Sequence, residues 1–522
     1  MQWLSSLGPV GEVLRVVILV IEVLLVFNLM ILVHEWGHFL AARWRGLKVE
    51  AFYIWFGKPL WKKTINGVEY GLGSIPAGGF VKLPQMAPMD AIEGGSASDE
   101  PLPPITPLDK AIVAFAGPLF SFGLAVLFAF LVMAFGKPES EHVITTTIGY
   151  VDEGSPAEKA GLKPGDTIKT IDGHAIRKFE GFVDSVRWAV ISSEGDNIRF
   201  QVERPGHSGL LEIPVPAKEL KNDKKKLAWW EHIFKRPELR DIGINGKHTP
   251  MIGELQPHGP ADDAGLKPND EILSVDGIPI LSREQVADYL DKKAPKTFIA
   301  AMPFPIWLRP ASFGMPLEAI ELLVRRNGKE FPVKLTPRIP DLIPADAPEL
   351  NRPMIGIVWH AKGRQTPTNP PVLSQISDAS RSMFNMISKL IAAKSDISPA
   401  HMSGPVGIGR VYYNLLQDPN AILLVLWFSV VLNINLAIMN MLPFPVLDGG
   451  HITLAAMEAI RRRPIHSRFL EILQTVCALG LFGFLIFVTL KDFGDIFGGG
   501  KKRAEVKLFL PKDQRPAPIA PV

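Results

Sequence analysis

His34, Glu35 and His38 stand in the run LMILVHEWGHFLAARW, a His-Glu-x-x-His pattern near the end of a long apolar stretch. On a helix the two histidines share one face about a turn apart, where both imidazoles can hold one zinc ion. Glu35, beside the first histidine, can then reach a zinc-bound water as general base. The alternative, two helix histidines hydrogen-bonded in a core, weakens inside an apolar span, where ionisable groups are costly and usually functional. Two histidines leave a zinc site short of a protein ligand. Asp448, in NMLPFPVLDGGH, is the candidate. Pro443 and Pro445 are expected to break the helix there and direct the carboxylate inward, with Gly449 and Gly450 letting the backbone bend. Three ligands leave a fourth position for water. His451 reads as a neighbour rather than a competing ligand. Asn440 offers an amide for a developing oxyanion or for interhelical hydrogen bonding, and Asn435 is a second candidate of that kind.

Four apolar runs, Leu14 to Leu40, Ala111 to Phe135, Ala421 to Leu442 and Phe469 to Leu490, are each long enough to cross a bilayer, which takes about 20 residues. A mean hydropathy of +0.16 and 47% hydrophobic residues agree with a membrane protein. The first run is too long for a cleaved signal peptide and lacks a small-residue cleavage site. Glu22 and Asn28 within it should face protein or water. A formal net charge of +3 gives no argument for nucleic acid, so the basic residues matter through where they cluster. Arg43, Arg45 and Lys48 follow the first run, and Arg461, Arg462, Arg463 and Arg468 separate the third and fourth. Both clusters are expected on the cytoplasmic side, which puts both termini and residues 138–400 across the membrane. The lone Cys477 excludes a cysteine metal framework, leaving His and carboxylate ligands.

Between the first two runs, residues 51–84 are aromatic, β-branched and broken by Gly and Pro, and Asn66-Gly67 is a hairpin signal. This segment is expected to form a membrane-associated β element. The acidic, Pro-rich residues 89–104 read as a loop. The central region holds an internal repeat: Ser155 to Gly173 matches Gly259 to Gly277 at a constant offset, with Ala-Gly-Leu-Lys-Pro in both. Each copy reads as a short helix ending at Gly, a turn, and a strand ending in Asp-Gly. The arrangement resembles PDZ domains of the bacterial, circularly permuted type. On that resemblance Gly149 and Gly253 lie in the loop that receives a peptide terminus, so that each copy is either a peptide binder or a spacer with an occluded groove. The second copy carries the apolar insertion AAMPFPIWLRPASFGMP, expected to cover its groove or touch the membrane. KKKLAWWEHIFKRPELR between the copies is either a lipid-headgroup contact or a solvated linker. Residues 336–371 are Pro-rich, with MIGIVWH as a candidate strand, and SQISDASRSMFNMISKLIAAKS has amphipathic helical spacing.

Together, HEWGH, GGFVKLP, AGPLFSF, the two repeats, SGPVGI and NMLPFPVLDGG resemble the site-2 protease family of intramembrane zinc metalloproteases, in its bacterial RseP-like branch with tandem PDZ domains. The resemblance covers nearly the whole chain. It implies zinc held by His34, His38 and Asp448, Glu35 as base, and Asn440 acting on the substrate or transition state. It also implies hydrolysis of peptide bonds within transmembrane segments of single-pass substrates, of the anti-sigma-factor or remnant-signal-peptide type, in the bacterial inner membrane. The site then faces the cytoplasmic side, and the PDZ domains gate access from the periplasm. Gly78, Gly79, Phe80 and Val81 offer a strand edge for an unwound substrate. Ser121 stands where family members commonly carry Asn, which leaves a supporting hydrogen bond of that helix contact in question.

The expected fold is a polytopic α-helical membrane protein with four transmembrane helices, a membrane-associated β-hairpin or sheet element and two periplasmic PDZ domains. Its expected order is a first helix in residues 1–50, a β region and loop in 51–110, and a second helix in 111–137. The repeats follow as a first PDZ domain in 138–220, a linker in 221–244 and a second PDZ domain in 245–337. A linker and amphipathic helix in 338–420 leads to a third helix with the Leu-Asp-Gly motif in 421–452. A cytoplasmic loop in 453–468, a fourth helix in 469–491 and a tail in 492–522 complete the chain. The competing reading, a non-catalytic membrane adaptor presenting PDZ domains, predicts no bound metal.

Overall fold

The structure, a computed structural model, describes residues 8–86, 105–216, 234–293, 317–344, 347, 350, 352–360, 362–392, 395–462, 467–497 and 508–514. The acidic loop at 89–104, the apolar insertion at 300–316 and most of KKKLAWWEHIFKRPELR lie outside the described residues. Helix α1 spans Gly8–Trp44. It carries its apolar composition all round, as a helix facing lipid and protein alike does. Asn28, polar within it, is satisfied by protein: its side chain donates to Leu24 O at 2.7 Å and accepts from the Trp55 indole.

Strands β1 (Ala51–Phe56), β2 (Trp61–Ile65), β3 (Val68–Leu72) and β4 (Ile75–Lys82) form one sheet in the order β2-β3-β1-β4. Asn66 and Gly67, both at positive φ, turn β2 into β3 as their types favour. β4 pairs antiparallel with β1 alone, so its other edge has no strand partner among the described residues. Phe39, Phe52 and Val68 pack the sheet onto the end of α1.

Helix α2, Pro107–Phe135, opens with a Thr106–Asp109 capping box and closes at Gly136, at φ 80°. Arg45 holds Asp109 at 2.7 Å, tying the end of α1 to the start of α2. Where the two helices cross, a Cβ on Gly37 would lie 2.9 Å from the Phe120 ring, so only glycine permits this approach. Strand β5 (Lys137–Ser140) leaves the bundle, followed by the short helix α3 (Glu141–Ile144).

Two lobes of one topology come next. Lobe 1 contains β6 (Ile148–Val151), α4 (Pro156–Ala160), β7 (Thr167–Ile171), β8 (His174–Ala175), α5 (Val186–Ser192), β9 (Asn197–Glu203), β10 (Leu210–Pro216) and β11 (Ile244–Gly246). Lobe 2 contains β12 (Ile252–Leu255), α6 (Pro260–Asp263), β13 (Glu271–Val275), β14 (Ile278–Pro279), α7 (Arg283–Lys293), β15 (Ile320–Arg326), β16 (Lys329–Leu335) and β17 (Ile357–Trp359). Each pairs a four-stranded sheet, β10-β9-β7-β8 or β14-β13-β15-β16, with a two-stranded one, β11-β6 or β12-β17. The repeat extends to buried polar groups. Asp166 and Asp270, both fully buried, each accept a forked pair of 2.7 Å bonds, from Arg204 and Arg326 respectively. Each also accepts a backbone N–H from the Lys-Pro turn, Lys163 at 2.9 Å and Lys267 at 2.8 Å.

The expected boundaries need correction. Ile242 and Ile244 fill the core of lobe 1, so the first repeat unit runs past its expected end at residue 220 and reclaims residues assigned to the linker 221–244 and the start of 245–337. Ile355 and β17 likewise belong to lobe 2, not to the linker 338–420. In each lobe the four-stranded sheet needs a lid that the chain supplies only after an intervening segment.

Strand β18 (Gln365–Thr368) then pairs antiparallel with β5, so the chain's exit from and return to the bundle are zipped together. Helix α8 (Val372–Ile391) and helix α9 (Pro405–Leu416) follow. The last helices are α10 (Ala421–Asn440), α11 (Asp448–Arg461) and α12 (Ser467–Phe497). Among the described residues, four helices are long and apolar enough to cross a membrane: Val13–Trp44, Pro107–Phe135, Ala421–Asn440 and Leu470–Ile496. The third ends at Asn440, so the Leu-Asp-Gly motif is not part of it as the range 421–452 implied. The range 453–468 is not simply a loop either, because α11 occupies it through Arg461.

Removing one member of a buried ion pair typically costs about 3–5 kcal/mol, since its partner stays behind uncompensated. Asp270→Ala is therefore expected to speed amide hydrogen exchange in β13 and β15 by about a hundredfold or more. Exchange in β7 and β9 of lobe 1 should stay unchanged, and equal protection of β13 in both chains would contradict this account.

Candidate active site

His34 and His38 project from the last third of α1 towards α2, and α2 fixes both rings. His34 Nδ1 lies 2.9 Å from Ser121 Oγ, and His38 Nδ1 lies 2.8 Å from Val113 O. A carbonyl only accepts, so the neutral His38 ring carries its proton on Nδ1 and leaves Nε2 bare. Both Nε2 atoms thus face the same point. Gly117, between the two anchoring turns of α2, makes room: a Cβ there would stand 2.8 Å from His34 Nε2.

The third group arrives from far along the chain. Beyond Asn440 the segment 441–447, with Pro443 and Pro445, interrupts the helix, and Asp448 opens α11 at its positive end, where a carboxylate is favoured. Gly449 and Gly450 are buried in the first turn of α11. A Cβ on Gly450 would come 2.7 Å from Pro445 Cα, and one on Gly449 would meet the backbone of Met441 and Leu442. Close packing against the segment 441–447, rather than a bend, is what these glycines permit. Lys110 on α2 pairs with Glu458 at 2.8 Å and holds α11 against the bundle.

The result is three converging side chains. Asp448 Oδ2 is 3.3 Å from His34 Nε2, Asp448 Oδ1 is 3.4 Å from His38 Nε2, and the two Nε2 atoms are 3.2 Å apart. Tetrahedral zinc with bonds of about 2.0–2.1 Å sets its ligands about 3.3 Å from one another, so the donor set fits that ion. Among the described residues, this is the one group of three or more His, Cys, Asp or Glu able to hold a metal.

An open cleft of about 270 Å³ surrounds the group. Glu35 lines it beside His34, and Asn440 lines it with Nδ2 at 3.3 Å from His34 Nε2. His451, three residues after Asp448, also lines the cleft but is not one of the three clustered donors. Asn435 does not line it. Gly79, Phe80 and Val81 of β4 form part of the wall, and Phe80 stacks on Tyr53 at 5.2 Å. Gly78, at φ 74°, passes against the Phe56 ring outside the lining. The expectation for Gly149 and Gly253 needs correction: they lie within β6 and β12 rather than in a receiving loop. A Cβ on either would strike the paired segment, Lys247 Cα at 2.7 Å or His360 N at 3.0 Å.

Ser121 closes a question that the family comparison of single residues left open, because its hydroxyl supplies a hydrogen bond at the histidine itself. Its place four residues after Gly117, on the same helix face, is the signal that identifies it. Partners of this kind orient a ligand and fix its tautomer, and losing one typically costs 10–100-fold in metal affinity. Ser121→Ala is expected to weaken zinc binding about tenfold or more in a competition titration with a chelator; unchanged affinity would show that the hydroxyl does not orient the ring.

Comparison with known proteins bears on the same residues. The Peptidase family M50 model matches residues 22–484. The Regulator of sigma-E protease RseP of Escherichia coli is 27% identical over 482 residues, covering 84% of this chain and 90% of that one. The Regulator of sigma E protease of Haemophilus influenzae is 25% identical over 497 residues, covering 88% and 95%. A Pasteurella multocida protein carrying a zinc metalloprotease name is 25% identical over 495 residues, covering 90% and 97%. A solved PDZ domain of an SdrC-like protein from Listeria monocytogenes aligns with 22% of this chain and 87% of its own at 15% identity, with a TM-score of 0.15, too low to argue from. The family match begins before His34 and ends beyond Asp448, enclosing both halves of the metal-binding group: the chain belongs to peptidase family M50 and is a zinc metalloprotease of the site-2 type.

Proposed function

We propose that the protein hydrolyses peptide bonds within membrane-embedded segments of single-pass proteins, with His34, His38 and Asp448 as the zinc ligands. The observation that carries this reading is the convergence of two imidazole nitrogens and one carboxylate, with contacts of 3.2–3.4 Å, in a cleft walled by an edge strand. Zinc bound there would supply Lewis acidity to a carbonyl and lower the pKa of a bound water. Glu35 takes the proton from the attacking water and passes it to the leaving nitrogen. Asn440 donates its amide hydrogen bond to the oxyanion as the tetrahedral carbon forms. A helical substrate hides its carbonyls in internal hydrogen bonds, so it must unwind before attack. The unpaired edge of β4 supports this step, because Gly79, Phe80 and Val81 can add an extended segment as a further strand directly beside Glu35.

The relatives named as regulators of sigma E support an anti-sigma-factor type of substrate, and the remnant-signal-peptide class shares its chemistry. The basic residues Arg43, Arg45, Lys48, Arg461 and Arg462 favour a site facing the cytoplasm, with both termini and the lobes in the periplasm of a bacterial inner membrane. α2 runs from the site at its start to the lobes beyond its end. Phe135 therefore lies about 27 Å from Gly117 along the helix. Lobes 1 and 2 act as two PDZ domains that gate access from that far side. The outer edges of β11 and β17, each paired on one side, replace the strands holding Gly149 and Gly253 as the places where a peptide end would add.

Glu35→Gln is expected to abolish cleavage of a model transmembrane helix while one zinc per chain remains. Wild-type turnover by that variant, with zinc bound, would sink the mechanism. Gly79→Val addresses the substrate edge, because a Cβ at 79 would sit 3.3 Å from Ile31 and 3.4 Å from Glu35 Cγ. A fall in kcat/KM of about tenfold or more, with zinc content unchanged, is the expected result; full activity would place the substrate elsewhere.

A further inference from the structure

Beyond α12, residues 508–514 return to lobe 2. Phe509 is 2% exposed and Leu508 7% exposed. The segment is held by backbone bonds as well as by burial. Leu342 N–H donates to Leu508 O at 3.1 Å, and Leu510 N–H donates to the Asp341 carboxylate at 3.0 Å. The Arg338 guanidinium stands 5.1 Å from the centre of the Phe509 ring while also donating to His258 O at 2.7 Å.

Comparison of the two lobes shows why this slot exists in one of them. At the constant repeat offset, Gly259 of lobe 2 corresponds to Ser155 of lobe 1. In lobe 1 the Ser155 side chain fills the space beside Gly243, whose own Cβ would stand 3.0 Å from Ser155 Oγ. In lobe 2 both facing positions are glycines, Gly259 and Gly356. A Cβ on either would lie 3.2 Å from the Phe509 ring. The ring occupies the space that a side chain takes in lobe 1. The groups named here lie outside β17 and α7, so the slot is separate from the sheet edge of lobe 2.

We propose that lobe 2 carries a peptide-binding slot, distinct from its strand edge, for an extended apolar-aromatic-apolar segment, and that residues 508–510 fill it in cis and strap lobe 2 to the fourth membrane helix. The slot is built for one aromatic ring, with glycines below, a cation above and backbone partners on either side.

The test uses the full chain in detergent micelles, with a fluorescent peptide of the sequence KLFLPK as probe. Phe509→Ala empties the slot, and Gly259→Ser fills it with the lobe 1 residue. The peptide is expected to bind Phe509→Ala at least tenfold more tightly than the unchanged chain. Adding Gly259→Ser to that variant should return binding to the unchanged level. Amide exchange across residues 338–344 should be at least tenfold faster in either single variant, while β13 and β15 keep their protection and report an intact lobe. Equal exchange in all chains overturns the proposal, and so does faster exchange without peptide capture by Phe509→Ala.

Discussion

Two imidazole nitrogens and a carboxylate meet within 3.4 Å of one another, a donor set that one cation can bridge, and the membrane part of the fold is built to impose that meeting. A zinc ion there would be held by Coulomb attraction to the Asp448 carboxylate as well as by the two imidazole nitrogens. The geometry depends on the close crossing of α1 and α2. Gly37 lets the backbones approach, Gly117 leaves space for the rings, and Ser121 and Val113 hold the two Nδ1 atoms so that the Nε2 atoms converge. Any change that separates these helices disturbs both histidines at once.

At the other end of the bundle the same logic of satisfied polar groups joins the lobes to the helices. Asp492 on α12 is 2% exposed and is met by Arg236 at 2.7 Å and by the N–H groups of Gly404 and Gly407. Arg236 also reaches Asp495 and the carbonyls of Ala400 and Met402, so the chain entering the last strand of lobe 1 is fastened to the end of the fourth membrane helix. On α8, Arg381 pairs with Asp184 of lobe 1 at 2.7 Å. Lobe position and helix position are therefore linked by charge pairs.

Much of this was legible in the sequence because it rests on local rules. The apolar runs gave the four long helices to within about seven residues at each end, the Asn-Gly turn formed where its φ requirement allows, and the repeat returned as two lobes of one topology. The three clustered donors were legible from residue chemistry, since with one cysteine only His and carboxylate could serve. Other features depend on long-range pairing, which local patterns do not encode. β11 and β17 are three residues each, too short to stand out, and join their lobes only after long intervening stretches. Gly149 and Gly253 sit elsewhere than expected for that reason, because the segments that crowd them fall by sequence in the second repeat, at Lys247, and in a linker, at His360. Gly449 and Gly450 suggest a bend by type although their role is close packing, a distinction that appears only once the segment 441–447 is seen against α11.

The central claim is that one zinc ion is held jointly by the first membrane helix and by a carboxylate more than four hundred residues later. Zinc content and affinity of purified Asp448→Ala, measured beside the unchanged chain, address it most directly. The account predicts one zinc per unchanged chain and loss of tight binding in the variant, to the same extent as in His34→Ala. Retention of zinc by Asp448→Ala at unchanged affinity would contradict it.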